Sequence, residues 1–180
     1  MTENELLELI QSGENVPLIS QHLKDHPELI ETLMDIVLRD GEATSWRAAW
    51  IADKIHEIRP ELVTPFLPEI TQFALKTANT GKKRHLLKLI SFHSIPENNL
   101  VELLNFCITI FTNPAEPVAI RVHAMQILFN IAMKEPEFSG ELIDLIEHEI
   151  EFHGSAGLSS RGKKLLKKLR KNARPDSAGK

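Results

Sequence analysis

The sequence predicts an all-α protein of about five stacked antiparallel helix pairs, and three observations carry that prediction. Four of the five Pro-Glu dipeptides in the 180 residues sit at near-regular intervals, at Pro27-Glu28, Pro60-Glu61, Pro96-Glu97 and Pro136-Glu137. Each is followed by an arginine, Arg47, Arg84, Arg121 and Arg161, at spacings of 37, 37 and 40 residues. Eight residues beyond each arginine the side chain is apolar: Ile55, Phe92, Phe129 and Leu169. Four residues beyond, Ile51, Met125 and Leu165 are apolar and Lys88 is the exception. A fixed period in the thirties to forties marks a stacked helical repeat. Offsets of four and eight lie along one stripe of a helix, the stripe that packs on the neighbouring pair. No segment alternates with period two, so no strand is predicted.

Taken in order, the first pair covers Glu3–Ser12 and Val16–Asp25, split by Gly13-Glu14-Asn15. It lacks both the Pro-Glu and the arginine and reads as an N-terminal cap, because a terminal repeat has one face in water. The second pair runs from Pro27 to Arg39 and from Ser45 to Ile58, with Asp40-Gly41 at its turn. Each Pro-Glu is expected to open a first helix: proline's missing N–H costs nothing there and the glutamate meets the positive end of the dipole. The third pair covers Pro60–Thr77 and Lys82–His93, broken at Asn79-Thr80-Gly81; Pro65 and Pro68 predict a late start or a kink in its first helix. The fourth covers Pro96–Phe111 and Pro117–Lys134, separated by Asn113-Pro114. The fifth covers Pro136–His153 and Ser159–Lys171, separated by Gly154-Ser155-Ala156-Gly157. Together these make one repeat domain over residues 1–171, with residues 1–26 as the cap, and the aperiodic tail 172–180 is expected to be flexible.

The segment Val118-Ala119-Ile120-Arg121-Val122-His123-Ala124-Met125-Gln126-Ile127-Leu128 resembles the second helix of the HEAT and armadillo-like repeat family. The resemblance extends from Pro27 to Lys171. It implies a right-handed superhelix, an α-solenoid whose second helices lie on or near the concave face, and its motifs specify that fold rather than an activity.

Composition narrows the class. Hydrophobic residues make up 42% and charged residues 26%, which describes an ordinary globule and not a disordered chain. The single cysteine, Cys107, lies in an apolar run and can form no intramolecular disulfide, which suits a reducing compartment. The acidic N-terminus, Met1-Thr2-Glu3-Asn4-Glu5, is unlike a signal peptide, and no apolar stretch is long enough to span a bilayer. A cytoplasmic location is the expectation.

Charge is distributed unevenly. Residues 1–80 hold 6 basic and 14 acidic side chains, residues 81–153 hold 6 and 10, and residues 154–180 hold 9 and 1. An acidic body therefore ends in a basic helix carrying Arg161, Lys163, Lys164, Lys167, Lys168, Arg170 and Lys171, with Leu165, Leu166 and Leu169 as a narrow apolar stripe. This helix is either a C-terminal cap with a solvated polar face or an anion-binding element. The arginine row likewise has two readings. Arg47, Arg84, Arg121 and Arg161 either form a ladder of guanidiniums facing a ligand or hydrogen-bond the turns before their helices, where Asp40, Asn79, Glu116 and Ser155 offer acceptors. The structural reading is favoured, with Arg47 the expected exception. Beside it stand Trp46 and Trp50, one expected in the core and the other exposed as a binding anchor.

Catalytic and metal patterns are sparse. There is no cysteine–histidine metal motif and no His-Glu-x-x-His. The densest ligand-like stretch is Glu147-His148-Glu149-Ile150-Glu151-Phe152-His153. His148 and His153 are five apart and expected to point away from each other, so the stretch reads as a solvated acidic helix. Gly154-Ser155-Ala156-Gly157-Leu158-Ser159-Ser160 resembles the serine loop of the fumarase and adenylosuccinate lyase superfamily, but its methionine and asparagine are missing. Neither a cofactor nor a catalytic group is predicted. The expectation is a protein-binding scaffold. The alternative is a nucleic-acid-binding repeat protein akin to the HEAT-like alkylation-repair glycosylases, with Trp46, Trp50 and Asp53 as a partial echo of their groove and the acidic body against it.

Overall fold

The computed structural model describes residues 3–12, 16–39, 45–95 and 97–172. Among these residues it contains ten α-helices and no strand. They are α1 (Glu3–Ser12), α2 (Val16–Asp25), α3 (Ile30–Val37), α4 (Ser45–Ile58), α5 (Leu67–Ala74), α6 (Thr80–Ile90), α7 (Leu100–Thr112), α8 (Val118–Ala132), α9 (Ser139–His153) and α10 (Ala156–Asn172). The expected turns at Gly13-Glu14-Asn15 and Asp40-Gly41, the residue Pro96 and the tail 173–180 lie outside the described residues. Asn172, assigned to that tail from the sequence, is the last residue of α10.

The Pro-Glu motif does something more specific than open an α-helix. Pro27, Pro60 and Pro136 each begin a single 3-10 turn, Pro27–Leu29, Pro60–Leu62 and Pro136–Phe138. In each, the residue before the proline lies outside the helical region, which a following proline disfavours, with φ of −125°, −136° and −112° and ψ of 70°, 73° and 81°. Its carbonyl then accepts the N–H three residues on: Leu29 to His26, Leu62 to Arg59, Phe138 to Glu135. The glutamate secures the turn by reaching back, Glu28 to His26 at 3.0 Å and Glu61 to Arg59 at 2.8 Å. In the third pair a second 3-10 turn, Thr64–Phe66, follows, and α5 starts only at Leu67 with Pro68 in its first turn. Pro65 and Pro68 thus produce the late start.

Helix starts shift where a cap was hidden in a predicted turn. Thr80 and Gly81 belong to α6, because Asn79 Oδ1 accepts the Lys82 N–H at 3.0 Å. Ala156 and Gly157 belong to α10, where Ser155 Oγ accepts the Leu158 N–H at 3.3 Å.

The chain forms two compact units, Met1–Ile90 and Ser91–Lys180. In the first, α4 is the hub and packs against α1, α2, α3 and α6. Its alanines, Ala48, Ala49 and Ala52, are fully buried and let neighbouring helices approach closely, while Ile51 and Ile55 fill the core. In the second unit α8 packs against α7, α9 and α10. α8 is apolar nearly all round, as an enclosed helix must be, with Ile120, Met125, Leu128 and Phe129 among its buried residues. α10 docks through Leu158, Leu165, Leu166 and Leu169. Gly162 allows that approach: a Cβ there would lie 2.7 Å from Ile150 Cδ1 and 3.1 Å from Ile146 Cγ2.

The apolar register holds at three of its four positions. Ile55 and Leu169 are fully buried and Phe129 is 8% exposed, but Phe92 is 56% exposed. The reason is helix length: α6 ends at Ile90, so the eighth residue beyond Arg84 falls in the turn. Cys107 is buried, and burial pushes its thiol far above the ordinary range, which leaves it inert.

Candidate functional site

The cations predicted from the repeat do not form one row. Arg121 is 3% exposed. Its Nε donates to Phe111 O at 2.8 Å, Nη2 to Glu149 Oε2 at 2.6 Å and Nη1 to His153 O at 3.4 Å. The guanidinium therefore ties the C-terminal end of α7 to the C-terminal end of α9, where backbone carbonyls lack helical partners. It cannot also face a ligand. Arg84 and Arg161 are exposed. In α6 the buried cation is Lys82, 1% exposed, whose Nζ donates to Arg39 O just past α3 and lies 4.7 Å from the Phe73 ring centre. Arg47 is half-buried, and its Nη1 donates to Gln11 O, in the last turn of α1, at 2.7 Å.

These bonds belong to a wider device that the sequence did not disclose. Arg59 Nη1 donates to Lys24 O at 3.0 Å, Asn130 Nδ2 to Ser91 O at 2.8 Å and Lys134 Nζ to Ile95 O at 3.1 Å. The partners of the Arg47, Lys82, Arg59, Asn130 and Lys134 bonds are 36, 43, 35, 39 and 39 residues apart, about one repeat. Each joins a donor to a carbonyl about one repeat earlier, and those of Gln11, Lys24, Arg39 and Ser91 lie at or just past the C-terminal end of a helix, where the dipole also favours a cation. The donor is Arg, Lys or Asn, so a search for one residue type could not have found the set.

The two tryptophans are not divided between core and surface. Trp46 and Trp50 are both half-buried and stack nearly parallel, 6.2 Å between ring centres and 8° between planes. The Arg47 guanidinium lies 5.4 Å from the Trp46 ring centre. Trp50 stacks in turn on His85, at 6.3 Å and 17°. Close approach of α6 to α4 is possible because residue 81 is glycine; a Cβ there would lie 3.2 Å from Trp46 Cβ.

Beneath the aromatic stack runs a charged cluster. His85 Nδ1 lies 3.0 Å from Asp53 Oδ2, and both side chains are almost fully buried. Lys88 Nζ straddles the Asp53 carboxylate, 2.9 Å from Oδ2, where it donates a hydrogen bond, and 2.8 Å from Oδ1, which it holds by charge. Lys88 also reaches Glu57 at 2.7 Å, and Glu57 meets Lys54 at 2.7 Å. Burial alone would raise the Asp53 pKa, but the hydrogen bonds from His85 and Lys88 outweigh it and hold the carboxyl below its usual range. Lys88 is the counterpart: burial opposes its charge, but the bonds to Asp53 and Glu57 prevail and raise its pKa. An Asp–His pair can serve acid–base chemistry, but here the imidazole is buried beneath Trp50 and closed to a substrate. Trp46, Trp50 and Asp53 are therefore brought together as a half-exposed aromatic stack over an ion pair in which Asp53 is buried.

On the basic helix α10, Arg161, Lys163, Lys164, Lys167, Lys168, Arg170 and Lys171 are exposed. Arg170 pairs with Glu147 of α9, and the Lys168 ammonium lies 6.0 Å from the Phe129 ring centre. Ser155 of the lyase-like loop caps α10. The last turn of α9 corrects a further expectation. His148 and His153 do not point apart: both imidazoles turn toward Glu149, with Nδ1 of His148 at 3.4 Å from Oε1 and Nδ1 of His153 at 3.2 Å from Oε2. Their spacing around the helix places Glu149 between them, and the two long side chains converge on its carboxylate.

Comparison with known families agrees with this architecture. The model of the HEAT repeat domain matches residues 2–169. The chain belongs to the HEAT repeat domain family. The match extends the HEAT assignment to the first pair, which lacks the Pro-Glu and arginine markers. It accords with an all-α array of packed helix pairs, and no described helix of this HEAT repeat protein is long and apolar enough to cross a membrane. No curated protein and no solved structure gave a match.

Proposed function

We propose that this HEAT repeat chain is a non-enzymatic, cytoplasmic protein-binding scaffold, and that it engages a protein or peptide through the Trp46–Trp50 face with Arg47 and Arg84 beside it. The observation that carries the reading is the pair of stacked, half-exposed tryptophans with a guanidinium over one end. Tryptophan and arginine are the residue types most enriched in binding hot spots, because they offer a large apolar area with a polar handle. The two rings stack on each other and Trp50 is backed by buried His85, so little ordering is lost on binding. Exposed Arg84 favours a ligand with a carboxylate next to an apolar side chain.

A second reading is favoured by the exposed basic face of α10, which suits weak, sequence-independent binding of a polyanion such as nucleic acid. The scaffold reading is tested on the full chain and three variants. Peptides selected from a displayed library on the full chain are titrated while intrinsic fluorescence is followed, since Trp46 and Trp50 are its two tryptophans. Binding should change that fluorescence, and Trp50→Ala or Arg84→Ala should weaken it by about tenfold or more. Ligands whose affinity ignores Trp46→Ala, Trp50→Ala and Arg84→Ala would remove this face from the proposal.

A further inference from the structure

The last turn of α9 gathers three metal-ligating side chains that the scaffold reading does not use. The ligand atoms of His148, Glu149 and His153 all lie within 4.8 Å of one another. Two donors at about 2.0–2.1 Å from a tetrahedral zinc lie roughly 3.4 Å apart. The two imidazoles lie at comparable distances from the Glu149 carboxylate, one to each oxygen: His148 Nδ1 is 3.4 Å from Oε1 and His153 Nδ1 is 3.2 Å from Oε2. The gap between the two imidazoles must still close, which rotation of the exposed His153 side chain allows.

The site is built and not merely crowded. Glu149 is 3% exposed, and its carboxylate is aimed by the 2.6 Å hydrogen bond from buried Arg121. That is the outer-shell arrangement that orients metal-ligating carboxylates. Phe152 packs against the His148 ring, 4.7 Å between centres, and restricts its rotation. The Arg121 charge opposes a cation. Glu151 in the same turn and the carbonyls at the end of α9 offset it, since a helix C-terminus carries partial negative charge.

We propose that His148, Glu149 and His153 bind one divalent transition-metal ion of the imidazole-preferring class, with Zn2+ as the reference ion and water completing its shell. Two imidazoles and a carboxylate are a recurrent protein ligand set for zinc.

The test is isothermal titration calorimetry of the full chain with zinc chloride at neutral pH in a non-chelating buffer. One ion per chain is expected. His148→Ala and His153→Ala, both at exposed positions, should each weaken binding by about tenfold or more. The rise in melting temperature with excess Zn2+ should disappear in both variants. A second close imidazole pair, His22 and His26 at 4.4 Å between centres, supplies the control, and His22→Ala should leave affinity unchanged. No binding at about 1 mM Zn2+, a weakening of less than about tenfold in either variant, or loss of binding in His22→Ala would each overturn the assignment.

Discussion

Arg121 and Lys82 show how one recurring task falls on different residues. Each is a buried cation near the start of a second helix, and each donates to a carbonyl at the end of another helix. Arg121 could be picked out because its flanking apolar residues place it on the inner face of α8. Aligning arginine with arginine then selects Arg84, two residues and about 200° around the helix from Lys82, and so exposed. Removing Arg121 strands the buried Glu149 carboxylate beside two carbonyls. Arg121→Ala is expected to cost about 3–5 kcal/mol, measured by urea denaturation. Arg121→Met combined with Glu149→Leu should recover most of that loss, because an apolar pair of similar volume leaves no charge uncompensated. Equal stability of Arg121→Ala and the parent chain would show that the guanidinium is not structural.

At the scale of elements, α4 and α6 are joined by the Trp46–Trp50–His85 stack and by the Asp53–His85–Lys88–Glu57 cluster below it. Lys88 was the sole exception in the apolar stripe, and its partners Asp53 and Glu57 explain why. It faces the carboxylates of α4 and cannot be replaced there by an apolar residue without leaving Asp53 short of a partner. The pH dependence follows from the directions of the shifts. Asp53 and Glu57 have folded pKa values held below their ordinary values. Their stabilisation is therefore present above about pH 4 and lost as pH falls through the lowered values. The folded pKa of Lys88 is raised, so its stabilisation is present below about pH 10 and lost as pH climbs through the raised value. The stability difference between the parent chain and Lys88→Met should be widest between about pH 5 and 9 and should narrow on both sides. Chemical denaturation across pH reads this directly, and a pH-independent difference would mean that Lys88 acts by packing alone.

Taken whole, the molecule joins an acidic body to a basic last helix, and this bears on the polyanion reading. α10 cannot be treated as a detachable tail, because Leu158, Leu165, Leu166 and Leu169 bury it against the second unit. Deleting it would unfold its own support, so charge reversal is the cleaner probe. Lys163→Glu with Lys167→Glu changes only exposed positions. Binding of labelled duplex or single strands, followed by fluorescence anisotropy, should be weak, fall steeply with salt, and vanish in that double variant. At physiological salt, charges more than about 8 Å apart are largely screened, so the acidic body should do little to rescue or oppose this contact. Tight binding at that salt which survived the reversal would favour a nucleic-acid function over the protein scaffold.

The helix pairs, the repeat family and, apart from the start of α5, the boundaries to within a few residues were legible because they rest on local signals. Proline ahead of a helix, turn residues behind it and apolar positions on one stripe act through near neighbours, and a period of 37 to 40 residues makes the same signals recur. Tertiary structure decided everything that depends on which helix lies opposite. It buried Arg121 and exposed Arg84, ended α6 before Phe92, stacked both tryptophans at half exposure and turned two histidines toward one carboxylate. Those outcomes follow from side-chain reach and from the carbonyls left open at helix ends, quantities fixed only when one repeat packs on the next.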